Sequence, residues 1–124
     1  MTGRKEARRQ ALELLYQWDL TRQPLASLHE GVADEFAQEL AGGVIERADE
    51  LDRRITDAST DWPADRLGHV ERNVLRIGLY ELDRGEVPLE VALAEAVALT
   101  KRYAGEDAAR LVNGILGQAA REAG

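Results

Sequence analysis

The sequence predicts an all-α fold, a compact bundle of about six to seven helices around a central buried helix. Three observations predict it. The stretch 70–82, VERNVLRIGLYEL, is apolar on two sides of a helical wheel. Val70, Val74, Ile77 and Tyr80 make one face; Leu75, Leu79 and Leu82 make the other. A surface helix carries a single stripe, so a helix apolar on both sides must be covered on both sides. Other segments repeat apolar residues at helical spacing, and none alternates with a period of two over strand length. The breaks between segments are short, which suits antiparallel neighbours.

Each element follows from local signals. Thr2 can cap a first helix over about Gly3–Leu20, with Ala7, Ala11, Leu14, Leu15 and Trp18 as its buried stripe. Pro24 ends it, because a proline disfavours a helical residue before it. Leu25–Val32 reads as a short helix or turn capped by Ser27. Ala33–Ala58 reads as one long helix with Phe36, Leu40, Val44, Leu51 and Ile55 inside. Gly42 and Gly43 lie within it at a cost of about 1 kcal/mol each relative to alanine, so a close helix crossing is expected there. Glu46, Asp49, Glu50, Asp52 and Asp57 are spread around its second half and read as a solvated face. Ser59–Arg66 is a loop around Asp61, Trp62 and Pro63.

The central helix comes next, with a narrow plainly polar strip at Arg72, Arg76 and Asp83. Gly85 follows it at the usual C-terminal position. Pro88 opens a helix to about Ala104, with Ala92, Ala96, Leu99 and Tyr103 as its inner stripe. Lys101 and Arg102 in its last turn complement the helix dipole. Gly105 stops it. Glu106 and Asp107 begin a last helix whose stripe is Ala108, Leu111, Val112, Ile115, Leu116 and Ala119.

Composition narrows the function. A chain of 124 residues suits one domain, or two small subdomains sharing a core. It has no cysteine, which excludes a disulfide framework, a thiolate metal site and a cysteine nucleophile. No apolar run approaches the roughly 18 residues of a membrane span, and the N-terminus lacks a signal-peptide core, so a cytoplasmic location is expected. His29 and His69 have no metal-ligand pattern around them. No phosphate-cradling glycine loop, dinucleotide fingerprint or nucleophile elbow is present. The chain reads as a protein without catalysis, metal or cofactor.

Net charge is −7, against a nonspecific polyanion binder. Residues 1–10 nevertheless hold Arg4, Lys5, Arg8 and Arg9 against Glu6 alone. On a helix Arg4 and Arg8 form one basic row and Lys5 and Arg9 a second, and Tyr16 continues that face. Cations beside an aromatic ring suit single-stranded RNA, through phosphate attraction and base stacking. The same residues could equally be a solvated basic helix end and a packed tyrosine.

The segments ARRQALELLYQWDL (7–20), ERNVLRIGLYEL (71–82), VPLEVALAEAV (87–97) and GEDAARLVNGIL (105–116) together resemble the NusB family of bacterial transcription antitermination factors. The resemblance covers nearly the whole chain, least well over 21–60. It implies two helical subdomains, about 1–60 and 61–124, within a single RNA-binding domain. It implies a role without catalysis, in which the protein pairs with NusE, a small ribosomal subunit protein, and binds boxA RNA. Other Nus factors and RNA polymerase complete the assembly, which acts notably during ribosomal RNA synthesis. Carried onto these positions, the resemblance gives RNA contacts at Arg4, Lys5, Arg8, Arg9 and Tyr16. Lys101 and Arg102 extend that surface, and Asn113 either pairs with a base edge or caps local backbone. Glu71 and Asp107 match acidic positions at or near the NusE-facing surface. Leu111 departs from a phenylalanine frequent in the family and cannot stack on a base as that ring would.

Two alternatives stay open on sequence. One is the RNA-recognition domain of a ribosomal RNA methyltransferase, and the other a helical protein-interaction scaffold. A homodimer that covers the partner surface when NusE is absent is a further implication of the resemblance.

Overall fold

A computed structural model describes residues 3–28 and 34–123. Thr2, His29, Val32 and Ala33 lie outside the described residues, and with them the Thr2 cap and the end of the 25–32 segment. Among the described residues there are seven α-helices and no strand. They are α1 (Arg4–Thr21), α2 (Leu25–Leu28), α3 (Glu35–Glu46), α4 (Ala48–Ala58), α5 (His69–Asp83), α6 (Leu89–Ala104) and α7 (Glu106–Ala123). A single 3-10 turn, Ala64–Arg66, precedes α5. None of these helices is long and apolar enough to cross a membrane.

The doubly apolar stretch is the centre of the bundle. Helix α5 packs against α1, α3, α4, α6 and α7. Leu75 and Leu79 are wholly buried, and such burial contributes roughly 1.5–3 kcal/mol per leucine. One continuous core runs from Ala7 and Leu14 of α1, through Val44, Leu51 and Ile55, to Val112 and Leu116 of α7.

Four expectations are corrected. First, the segment expected to be one helix is two, broken at Arg47 (φ −107°, ψ 12°). Gly42 and Gly43 weaken the helix just before the break. The Arg47 guanidinium turns to Glu50 and to Asp83 of α5, the latter at 2.8 Å. Asp34 caps α3 by accepting from the Ala37 N–H at 3.0 Å. Second, Tyr103 is not part of an inner stripe. The buried residues of α6 are Ala92, Ala96 and Thr100. Residues 101–104 are all exposed, because the last turn of α6 runs out past the core. Third, Ala109 rather than Ala108 is buried in α7, and Leu111 is only half-buried. Fourth, the polar strip of the central helix is largely interior: Arg72 is 8% and Arg76 1% exposed.

Buried guanidinium groups must be paired to be tolerated, and both are. Asp19 of α1 accepts from Arg72 Nη2 at 2.6 Å, Arg76 Nη1 at 3.1 Å and Asn73 Nδ2 at 3.1 Å, and lies 2.9 Å from His69 Nδ1. Arg72 Nη1 also donates to the carbonyls of Ala64 and Leu67, each at 3.0 Å. Asp52 of α4 takes both remaining nitrogens of Arg76, at 2.7 and 2.6 Å. One group of side chains thus joins α1, α4, α5 and the turn before α5. Asp52 is therefore not simply part of a solvated carboxylate face.

The close crossing expected at the glycine pair is present at Gly43. A Cβ there would run into the Tyr80 hydroxyl and the ring carbon that bears it. Gly42 has only ordinary clearance from Leu25. Gly43→Ala is expected to displace the Tyr80 ring and lower stability by about 1–3 kcal/mol, whereas Gly42→Ala should be neutral or better. Urea unfolding of the two variants checks this, and equal effects would contradict the crossing.

Candidate functional site

The four N-terminal cations lie on α1, but they are not equivalent. Arg8 is buried and forms a forked pair with Glu81 of α5, at 2.7 Å through Nε and 3.0 Å through Nη2. Arg4 stands 3.7 Å from the same carboxylate and 4.7 Å over the Phe36 ring. Arg9 is clasped by Glu6 and Glu13 along its own helix. Glu6, then Tyr103, raise its already high pKa further. Lys5 is the most open of the four, 81% exposed and 3.9 Å from Glu95. The sequence expectation of two solvent-facing basic rows therefore holds for Lys5 and, in part, Arg9 and Arg4. Arg8 instead turns inward, because i and i+4 residues beside an apolar stripe face the neighbouring helix.

Helix α6 completes this face. Lys5, Arg9 and Arg102 line a groove between α1 and α6, with Glu6 and Glu95 on its walls. The last turn of α6 is the junction of three grooves. Arg102 faces the α1 groove; Lys101 faces a second groove, of about 660 Å³, with Arg110, Asn113 and Gly114 of α7. Tyr103 lines a third with Tyr16, Leu12, Gln17 and Val70. This turn is held in place by Gly105, whose φ of 91° and ψ of 178° suit glycine alone.

Tyr16 is 41% exposed, as a surface contact requires. Its ring meets His69 edge-on, with centroids 5.5 Å apart and planes at 68°. Asn113 is exposed and its backbone is helical, so it caps no helix end. Leu111 lies over a different groove, beside Ser59, Thr60 and Gln118. The fold brings Lys101 and Asn113 together and Lys5, Arg9 and Arg102 together, while Leu111 lines a neighbouring groove that shares Arg110 and Gly114 with that of Lys101 and Asn113. Arg102 and Tyr103 are the residues that sequence reasoning undervalued. Their signal was position: both sit in a last helical turn beyond the apolar stripe.

The acidic candidates differ too. Asp107 is 93% exposed in the first turn of α7 and is paired with Arg110. Glu71 is half-buried, its carboxylate folded over Gly68 so that a Cβ there would meet it at 2.7 Å. Among the described residues, no group of three or more histidines and carboxylates is placed to hold a metal.

Burial alone would raise the pKa of Asp19, but hydrogen bonds from His69 and Arg72 and the charge of Arg76 outweigh it. They hold Asp19 well below the usual carboxylate range. This cluster is structural support for the Tyr16 face, since His69 touches both Asp19 and the Tyr16 ring.

The family model described as NusB family matches residues 5–121. The transcription antitermination protein NusB of Solibacter usitatus is 35% identical over 133 residues, covering 98% of this chain and 91% of that protein. The crystal structure of antitermination factors NusB and NusE in complex with dsRNA contains a chain that is 32% identical. It superposes with a TM-score of 0.84, and the match covers 96% of each chain. The T. maritima NusB structure also gives a TM-score of 0.84 at 32% identity, covering 98% of this chain and 92% of that one. This helical bundle, matched over nearly its full length by these relatives, belongs to the NusB family of transcription antitermination proteins.

Proposed function

We propose that this protein binds boxA RNA as a single strand together with NusE, and so takes part in antitermination during ribosomal RNA transcription. One observation carries the reading. On a chain of net charge −7, Lys5, Arg9 and Arg102 converge on one groove that adjoins two exposed tyrosines. Cations attract phosphate without regard to sequence, and exposed rings accept unstacked bases. Lys101 and Asn113 extend the surface along α7. Leu111 offers the strand an aliphatic contact where an aromatic ring would stack.

The acidic remainder of the chain repels RNA, so affinity alone is low and rises when a basic partner docks. Complementary charge guides such docking. Asp107 and Glu71 are the carboxylates assigned to the NusE-facing side. Other Nus factors and RNA polymerase join through the complex that the pair forms.

Labelled boxA RNA, titrated with the protein alone and with NusE at two salt concentrations, tests this. Binding is expected to tighten with NusE. Three neutralised phosphates give a slope of about −2 in log K against log salt for a single strand. Lys5→Ala and Arg102→Ala should each flatten the slope by roughly 0.7 with no loss of thermal stability. RNA binding that is absent in both conditions, with NusE still bound, would leave only a protein-interaction scaffold.

A further inference from the structure

Tyr103 has no role in the core, and its exposure needs an explanation of its own. It is 41% exposed, as is Tyr16, and the two rings line one cleft of about 400 Å³ together with Leu12 and Val70. That volume falls within the range of small-ligand clefts, roughly 300–1,000 Å³. We propose that the cleft between Tyr16 and Tyr103 receives one unpaired nucleobase of the bound RNA, with Tyr103 as its second stacking wall. The proposal rests on the RNA-binding reading above and gives it a defined subsite.

Both rings are braced from outside the cleft. His69 stands edge-on to Tyr16 at 5.5 Å, and the Arg102 guanidinium lies 5.4 Å from the Tyr103 ring centre. Rings already held in place lose little freedom on binding. Chemistry at the rim selects the occupant. Glu13 stands at the cleft with its carboxylate on Arg9, so a phosphate is repelled from the interior while a neutral base is not. The Gln17 amide is exposed at the same rim and presents a donor beside an acceptor, the pattern of a base edge. Arg9 and Arg102 stand beside the cleft, where the phosphates flanking an inserted base would run. Arg102 is exposed there and lies against the Tyr103 ring, with Glu6 as the carboxylate that shares its groove.

The test uses the full chain with NusE and a set of boxA RNAs, each with one nucleotide made abasic. Tyr103→Ala is expected to weaken binding of the intact RNA roughly 5- to 100-fold without changing the salt slope, because stacking releases no counterion. Tyr103→Phe keeps the ring and loses only the hydroxyl's contact with Arg9, so it should retain most of the native affinity. At one position, an abasic sugar should weaken the native protein and have no effect on Tyr103→Ala. If Tyr103→Ala binds as tightly as the native protein while Lys5→Ala still flattens the slope, the base subsite is refuted and the RNA reading stands. If Tyr103→Ala instead dissociates a dimer in sedimentation with RNA affinity unchanged, the cleft is a contact between copies and the proposal is equally overturned. If the native protein binds no RNA, both readings fall together.

Discussion

Asp19→Ala is expected to lower the unfolding free energy by about 3–5 kcal/mol, the usual cost of removing one partner from a buried charge cluster. The variant would leave Arg72 without its carboxylate and Arg76 with Asp52 as its one remaining carboxylate beside the Asn73 amide oxygen. Asn73 and His69 would lose an acceptor as well. A typical domain has only about 5–15 kcal/mol in total, so a large fall in the urea midpoint is the expected reading. The more conservative Asp19→Asn gives a second test through pH. The folded-state pKa of Asp19 is depressed far below the unfolded value of about 3.9. Its contribution is therefore complete above the unfolded value. It declines as pH falls below about 4, where the unfolded chain takes up a proton that the folded chain refuses. Asp19→Asn should be less stable at pH 7 and should lose less further stability between pH 4 and pH 2 than the native protein. Parallel curves over that interval would mean that Asp19 is not held ionised by its neighbours.

The second large effect concerns Glu81, which is 3% exposed and holds Arg8 in a forked pair. Glu81→Ala should cost about 3 kcal/mol, because the Arg8 guanidinium would stay buried without its forked partner and with only the more distant Glu95, at 3.7 Å, to pair with. Arg8→Met combined with Glu81→Leu should recover most of that loss, since well-packed apolar replacements of buried pairs are often neutral. This pair of variants also separates support from recognition. The sequence alone would enlist Arg8 beside Arg9 as a phosphate contact, and predicts that alanine at both positions weakens binding and flattens the salt slope. With Arg8 committed to Glu81, the Met–Leu double variant should keep the native salt slope. A slope flattened by roughly 0.7 in a variant that unfolds like the native protein would return Arg8 to the RNA contacts.

The architecture was largely legible because it rests on apolar periodicity, which is local. The two-faced stretch around Leu75 and Ile77 had to be central, and Gly85, Pro88 and Gly105 marked their boundaries through backbone chemistry. The interior charges were not legible. Asp19 is one carboxylate on a helix that also bears Glu6 and Glu13, and nothing in its own neighbourhood says that it lies opposite Arg72 and Arg76, more than fifty residues away. Charged residues on a helix default to solvent, and only long-range packing reverses that default. The same blindness explains Arg8 and Tyr103. From sequence Arg8 looks free, because its partner Glu81 is distant in the chain. Tyr103 looks like core, because the apolar spacing of α6 continues into a last turn that lies outside the packed interior.

The interior charges also restrict where the central helix can sit. An apolar helix of this length could slide by a turn or rotate by one residue and still find apolar neighbours, at the cost of imperfect fit alone. In this helix either displacement would carry Arg72 and Arg76 away from Asp19 and Asp52 and strand them among leucines. Alternative registers are thereby penalised by charge as well as by shape, and the chain is left with one setting for α5. His69, at the start of that helix, and the Tyr16 ring it supports inherit that fixed setting.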